Sequence, residues 1–461
     1  MKRRPPALLF LIGAYFCSLG SGFLRFSNKP LVPWLWAGFI LCLIGAKWAE
    51  SAPPPLPRPK KTLPAPPAAP PPHPRLISAE PLTGGSPRKN TVYLRPMGID
   101  LLANGGYSPD NGTTWEALKP NPDFDSSLPK GYRRESFPLF VDQKHGRVLW
   151  IVNSLDTLGL DPNIVEPPVA LEAYYLRYRV STDGGRTWLF DEPIIQEGNY
   201  SLEHPIEGVW KNKNGLFMGD YGSLPIRTRA GKILVPAQAC ILGPNGKLAS
   251  PGGGFTYTDV AVLIGSWTSR DRLNWEVARV QADPARTTRG IIEPTLAELP
   301  DGRLLMVMRG SNGGSKDPDF KLPAYKWSSI SSDGGYTWSK PEPWTYDDGT
   351  PFYSPSSMSQ LVPHSSGRLF WVGNISGQNP RGNDPRRPLV IGEVDRKTLR
   401  LIRSSVLVID DLKPGDTEGV ELCAHTAVFE DRPSRELWIP MSRYTSGYKK
   451  STPYLYRIGV E

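Results

Sequence analysis

The sequence predicts an all-β domain, a propeller of five to six four-stranded blades, and three observations carry that prediction. A turn motif recurs along the chain. Short apolar strands start the same way again and again. No segment shows sustained helical periodicity.

The turn motif has the form Ser-x-Asp-x-Gly-x-Thr-Trp. It occurs at Ser108, Asp110, Gly112, Thr114 and Trp115, again at Ser181, Asp183, Gly185, Thr187 and Trp188, and again at Ser331, Asp333, Gly335, Thr337 and Trp338. A worn copy, one residue shorter and without the glycine, runs through Ser269, Asp271 and Trp275. The motif has a local logic. The Asp carboxylate accepts backbone N–H groups of its own turn, the glycine permits positive φ, and the Trp fills apolar space between neighbouring sheets. Such a turn is expected to shape the fold and to take no part in chemistry. The copies lie further apart than the roughly 40–50 residues of a minimal blade, which leaves room for long loops.

The strand starts follow a turn that ends in Gly and then a basic residue: Gly146 and Arg147, Gly231 and Lys232, Gly302 and Arg303, Gly367 and Arg368. An apolar run follows each. A chain with 45 Gly, 50 Pro and 14 Trp suits many turns joined to aromatic-anchored strands.

The net charge is +9, but the basic residues are dispersed among acids and tryptophans. Without a clustered basic stripe, nucleic acid is not an expected partner, and a basic balance is equally compatible with acidic substrates such as carboxylated or sulfated sugars. The four cysteines, Cys17, Cys42, Cys240 and Cys423, are no disulfide framework. No Cys, His or Asp cluster has metal-ligand spacing and no phosphate-binding loop occurs, so no metal or cofactor is expected.

Three regions follow from composition: residues 1–50 with two apolar segments, a Pro-rich linker over 51–90, and the propeller over 91–461. The apolar runs 7–24 and 31–49 are each close to the ~20 residues of a membrane-spanning helix. The segment therefore reads as a membrane anchor. Lys2, Arg3 and Arg4 leave both ends of such a hairpin cytoplasmic, while an export-signal reading of the second run places the propeller outside. Extracytoplasmic placement is the expectation, with the side left open. The proline run 52–74 cannot join a sheet and reads as an extended spacer.

These residues resemble the sialidase (neuraminidase) superfamily of Asp-box, or BNR-repeat, six-bladed propellers, as a divergent bacterial-type member. The resemblance covers residues 90–460. It implies an exo-acting glycoside hydrolase on a terminal acidic sugar, sialic acid or a related anionic glycan. The run from Glu293 to Arg309 is similar to the family segment joining a catalytic Glu, which activates a Tyr nucleophile, to an Arg of the carboxylate-clamping triad. Arg386, Arg387, Pro388 and Leu389 match the strand start that carries another triad Arg. The resemblance thus implies Glu293 as catalytic and Arg309 and Arg386 as substrate-binding. The remaining Arg falls near Ser136, Phe137 and Pro138, with Arg134 the candidate beside Arg133. Asp156 is the candidate general acid by position, with Asp161 behind it. The family's Tyr is missing from 421–428, where Cys423 and His425 stand, and His425 is taken as a candidate catalytic residue.

Apart from the resemblance, Glu203 and His204 form a polar patch with Tyr200, Asp220 and Tyr221, and Tyr257 forms another with Asp259. A Glu–His pair beside a Tyr has the groups for acid–base work, so Glu203, His204 and Tyr257 are candidate substrate-binding residues. Two rival functions remain: a lyase on a uronate polymer, with His204 or His425 and a Tyr as base and acid, and a catalytically silent carbohydrate-binding propeller.

Overall fold

Six antiparallel sheets of four or five strands occur among the described residues, one for each blade of a propeller. The computed structural model describes residues 73–82, 90–118, 132–136, 139–156, 169–416, 419–423, 427–446 and 448–461. Both apolar segments and most of the Pro-rich linker lie outside them. Among the described residues no helix is long and apolar enough to cross a membrane.

Blade 1 holds Val92–Tyr93, Leu101–Ala103, Gly106–Ser108 and Glu116–Ala117. Blade 2 holds Tyr132–Ser136, Arg147–Asp156, Tyr175–Ser181 and Asp191–Pro193, with Phe140–Asp142 also on its second strand. Blade 3 holds Leu216–Phe217, Ile233–Cys240, Thr258–Trp267 and Leu273–Val280, with Ile226–Arg227 as the extra strand. Blade 4 holds Ile292–Glu298, Leu304–Arg309, Lys326–Ser331 and Glu342–Pro343. Blade 5 holds Gln360–Pro363, Leu369–Asn374, Leu389–Glu393 and Leu407–Asp410.

Blade 6 combines Phe429–Asp431, Glu436–Thr445 and Lys450–Gly459 with Arg75–Pro81 from the other end of the described chain. Arg75–Pro81 pairs antiparallel with Lys450–Gly459. The pairing satisfies backbone groups that a free strand edge would expose.

The apolar cores lie between blades. One cluster joins Leu176 and Tyr178 of blade 2 to Val235 and Leu263 of blade 3. Another joins Leu234 and Val262 of blade 3 to Leu304 and Met306 of blade 4. A third packs Leu305 and Val307 of blade 4 against Trp371 and Val390 of blade 5, with Trp344 edge-on to Trp371 at 5.4 Å. Each aliphatic side chain so buried contributes about 1.5–3 kcal/mol.

The three intact turns close on themselves as expected. In the first, Gly112 N–H donates to Ser108 Oγ at 2.8 Å, Thr114 N–H to Asp110 Oδ1 at 2.8 Å, and Thr114 Oγ1 to Asp110 Oδ2 at 2.7 Å. The second and third turns repeat this pattern. Gly335 has φ +100°, and a Cβ there would meet Leu234 and Leu304 at 3.1 and 3.4 Å. Both conformation and space therefore favour glycine. Trp188 reaches the cluster between blades 1 and 2, and Trp338 the cluster between blades 3 and 4.

In the worn copy Thr268 Oγ1 accepts Arg270 and Arg272 N–H, while Asp271 turns to Arg147. Its Trp275 remains buried against Tyr178.

Candidate functional site

Antiparallel pairing puts the start of a blade's first strand, the end of its second and the start of its third on one face of the molecule. In blade 4 those places hold Ile292, Arg309 and Lys326, which face one another in register. In blade 5 the third strand starts at Leu389, three residues after Arg386. In blade 6 Glu421 is bridged to Tyr444 at the end of the second strand. Residues far apart in sequence thus meet because their strands begin or end on the same face.

Glu293 sits at an irregularity of its strand, between Ile292 and Thr295, with φ 48°. A non-glycine residue in this region carries strain that the surroundings must hold. Here its N–H donates to Gln238 Oε1 at 2.6 Å. Gly219 makes room: a Cβ there would lie 2.2 Å from Gln238 Oε1 and 2.9 Å from Glu293 Cγ.

Arg309 pairs through Nη1 with Glu293 Oε1, and this ion pair is largely buried. Arg309 Nε donates to Ser356 Oγ at 2.7 Å and Nη2 to Asn383 Oδ1 at 3.2 Å. Burial lowers the pKa of Arg309; Glu293 opposes the shift, the nearby charge of Arg386 adds to it, and Asp220 also opposes it. The net direction is downward. These mutual fields put Glu293, Arg309, Arg386 and Asp220 in one electrostatic neighbourhood.

Arg386 is only 9% exposed. Its Nη1 donates to Tyr448 Oη at 2.6 Å and lies 3.8 Å from Cys423 Sγ. Tyr448 Oη lies 3.5 Å from Cys423 Sγ and donates to Glu421 Oε2 at 3.3 Å. Burial alone weakens the Arg386 charge, but Cys423, Tyr448 and Glu293 around it hold its pKa above the usual range. Burial raises the Tyr448 hydroxyl well above the ordinary tyrosine value. Burial also raises Glu421, with the charge of Arg386 opposing.

Two buried atoms here have no hydrogen-bond partner: Arg386 Nε and Glu293 Oε2. Buried polar atoms are nearly always paired, so the cluster keeps one donor and one acceptor that its own side chains do not satisfy. Opposite Arg309 on the next strand, Lys326 is fully buried and its Nζ donates to the Ser357 carbonyl. Burial pushes its pKa down to about 7, helped by the charge of Arg309.

Of the residues expected from sequence, Glu293, Arg309 and Arg386 are brought together. Asp156 ends the second strand of blade 2, opposite Tyr132, and Arg134 lies opposite Ser154. Their backbones therefore reach the same face, and their side chains lie outside the description. His425 and Asp161 lie outside the described residues altogether.

Glu203, His204 and Tyr257 make other contacts. His204 stacks on Trp210 at 4.6 Å and 2°, Glu203 accepts from Ser201 Oγ, and Tyr257 donates to the Ala282 carbonyl. Among the described residues no hydrogen bond or ion pair joins these three to Glu293, Arg309 or Arg386. Nor is any group of three or more His, Cys, Asp or Glu side chains placed to hold a metal ion among the described residues.

Sequence reasoning missed Tyr448, Glu421 and Asn383. The resemblance puts a tyrosine near 421–428, where Glu421 and Cys423 stand; the hydroxyl that meets those two residues belongs to Tyr448, 25 residues past Cys423. The available signal was positional: blade 6 must have a turn between its second and third strands, and Tyr448 is in it.

The model of the BNR repeat-like domain matches residues 163–407. No curated protein matches. Solved structures similar to this chain include the Hadza microbial sialidase Hz136, with 16% identity and a TM-score of 0.43 over 79% of this chain. This chain spans 60% of that protein's length. A Dyadobacter fermentans protein of unknown function is 15% identical, with a TM-score of 0.48 over 78% of this chain and 84% of that one. The intramolecular trans-sialidase of Ruminococcus gnavus is 13% identical, with a TM-score of 0.47 over 77% and 86%. Likenesses this distant carry no argument about chemistry. The family match covers more than half of the chain and coincides with the Asp-box turns at Asp183 and Asp333, so this chain belongs to the BNR repeat-like domain family, as a divergent member of the superfamily its sequence resembles.

Proposed function

We propose that the cluster of Glu293, Arg309, Arg386 and Tyr448 binds a terminal acidic sugar and cleaves its glycosidic bond as an exo-acting hydrolase. The observation that carries this reading is the pair of unpartnered buried atoms, Arg386 Nε and Glu293 Oε2, beside a second buried guanidinium. A sugar carboxylate gives Arg386 the acceptor it lacks, and a sugar hydroxyl gives Glu293 a donor. Arg309, fixed by Glu293, Ser356 and Asn383, adds positive field without needing to move.

In this reading Tyr448 Oη attacks the anomeric carbon and its proton passes to Glu421 Oε2, 3.3 Å away. The raised pKa of Glu421 makes it a better proton acceptor than an ordinary carboxylate. The C–O bond to the leaving group breaks as that oxygen takes a proton from a carboxylic acid. Asp156 is the candidate for this acid by its position in the sequence, and Asp220 is the carboxylate whose charge reaches Arg309. Water then attacks the glycosyl–tyrosine bond, losing a proton to the carboxylate that acted as acid. The Tyr448 oxygen leaves and regains its proton from Glu421. Two displacements at one carbon retain its configuration.

Attachment of the chain to a membrane through segments 7–24 and 31–49, with the propeller on the extracytoplasmic side, is proposed alongside.

The test is turnover of fluorogenic glycosides of sialic, glucuronic and galacturonic acid beside their neutral counterparts. The reading expects cleavage of one or more acidic glycosides, no cleavage of the neutral ones, and loss of that activity in Arg309→Lys, which lacks the planar fork. Cleavage of acidic and neutral glycosides at equal rates contradicts it.

A further inference from the structure

The rim of the same face carries a second feature that the bond-cleaving cluster does not use. The Arg289 guanidinium lies over the Phe255 ring at 4.1 Å, and that of Arg381 over Phe320 at 4.4 Å. Phe255 is 68% exposed, an unusual position for a large apolar ring. Both pairs flank the cluster. Arg289 is in the loop that leads into the strand of Glu293, four residues before it, and Arg381 is two residues before Asn383, which holds Arg309.

The loops that carry these pairs are tied together. Ser315 N–H donates to the Gly253 carbonyl at 2.8 Å, and a Cβ on Gly314 would come within 2.4 Å of that oxygen. Asn312 Nδ2 donates to the Pro380 carbonyl at 2.9 Å, and Gly382 N–H to Asn312 Oδ1 at 2.8 Å. Asp317 takes Gly313 and Lys321 N–H. The same loops bound a cleft lined by Pro251, Pro284, Lys316 and Leu322, with Lys316 exposed at its edge.

A ring with a cation over one face suits an anionic sugar unit: Phe255 is exposed, and Arg289 is held over it by a hydrogen bond from Nε to Thr256 Oγ1 at 2.9 Å. The ring covers the apolar C–H face of the pyranose and the cation takes the acidic group. Successive pairs along one rim, next to a site for a terminal sugar, suit successive units of one chain. We infer that the rim formed by Phe255, Arg289, Lys316, Phe320 and Arg381 binds the second and later residues of an anionic oligosaccharide. This rests on the reading that the cluster takes the terminal acidic sugar. The substrate is then an oligomer with carboxylate or sulfate groups on several units, rather than one acidic sugar on a neutral partner.

The experiment is calorimetric titration of the full chain with galacturonic acid, a galacturonate hexamer, a heparin hexasaccharide and maltohexaose. The comparison protein carries Phe255→Ala, Arg289→Gln and Arg381→Gln together; Arg381→Glu alone serves as a second variant, since Arg381 is exposed. The wild type is expected to bind one charged hexamer at least ~10-fold more tightly than galacturonic acid or maltohexaose. The triple variant is expected to lose about tenfold for that hexamer and less than about twofold for the monomer, with Arg381→Glu losing hexamer affinity alone. The hexamer advantage shrinks as salt rises.

Preference for the galacturonate hexamer identifies carboxylates as the rim's ligands, and preference for the heparin fragment identifies sulfates. Equal binding of maltohexaose, no binding of either charged hexamer, or unchanged hexamer affinity in both variants overturns the inference. Arg386→Gln separates the two readings. Loss of monomer and hexamer binding in Arg386→Gln, with the rim variants unchanged, leaves the terminal-sugar site standing and removes the rim. Rim-dependent hexamer binding that is indifferent to Arg386 does the reverse.

Discussion

The Asp-box turns and the Arg386 cluster are both built from carboxylates and the donors around them, yet they end in opposite states. Asp333 uses both oxygens within the seven residues from Ser331 to Thr337, on Ser331, Tyr336 and Thr337. Burial is the largest single influence and raises its pKa, but the hydrogen bonds from Thr337, Ser331 and Tyr336 together outweigh it and bring it to about 2. Glu293 instead reaches Arg309 across two strands and keeps Oε2 buried and unpaired, while Arg386 keeps Nε unpaired. The first arrangement is closed by its own residues, and the second keeps one donor and one acceptor open. Unpaired buried atoms also occur in the apolar cores, at Trp275 Nε1 and Trp371 Nε1, so what sets the Arg386 cluster apart is an open donor and an open acceptor beside two buried guanidinium groups.

Four substitutions separate the two regions. Tyr448→Phe removes one oxygen and is expected to lower turnover of an accepted glycoside about 10³-fold or more, with ligand affinity changed only a few-fold. Retained turnover would remove Tyr448 from the chemistry and leave a binding site only.

Glu293→Gln leaves the Arg309 charge buried without its partner. Urea unfolding is expected to show a loss of about 3–5 kcal/mol. A smaller loss than at a box turn would erase the distinction between the two regions.

Lys326→Met tests the buried lysine through pH. The folded pKa of about 7 lies below the ordinary 10.5, so between those values the unfolded chain holds the proton and the folded one does not. Wild-type stability therefore rises with pH from about 7 toward 10, by a few kcal/mol. The variant is expected to be the more stable protein near pH 6 and to lose this rise. An unchanged pH profile of the melting temperature would show Lys326 charged in place.

Asp333→Asn is expected to have the smallest effect, about 1 kcal/mol or less because the turn is exposed, with no change in turnover. The Asp333 contribution is present above its unfolded value near 3.8 and is lost as pH falls through about 2. Melting curves at pH 7 should thus separate the two proteins and curves at pH 2 should bring them together.

The same contrast explains what the sequence allowed to be read. Each box turn closes within eight residues, so Ser181, Asp183, Gly185, Thr187 and Trp188 name their own structure, and the blade count follows from their repetition. Glu293 and Arg309 were legible because one hairpin connects them, 16 residues apart. Arg386 was legible through its Pro and Leu neighbours. Tyr448 was not, because its partners Arg386, Cys423 and Glu421 lie 62, 25 and 27 residues away and only closure of the blades brings them together. Glu203 and His204 looked like a site from their composition. In the fold that residue density belongs to a stacked loop, with His204 on Trp210 at 4.6 Å.

The most direct test of the account is the affinity of an accepted free sugar acid against its methyl ester, for wild type and Arg386→Gln. The account predicts that wild type prefers the acid by about 100-fold and that Arg386→Gln loses most of that preference by weakening the acid alone. Equal affinities for acid and ester in the wild type, or an undiminished preference in the variant, would contradict it.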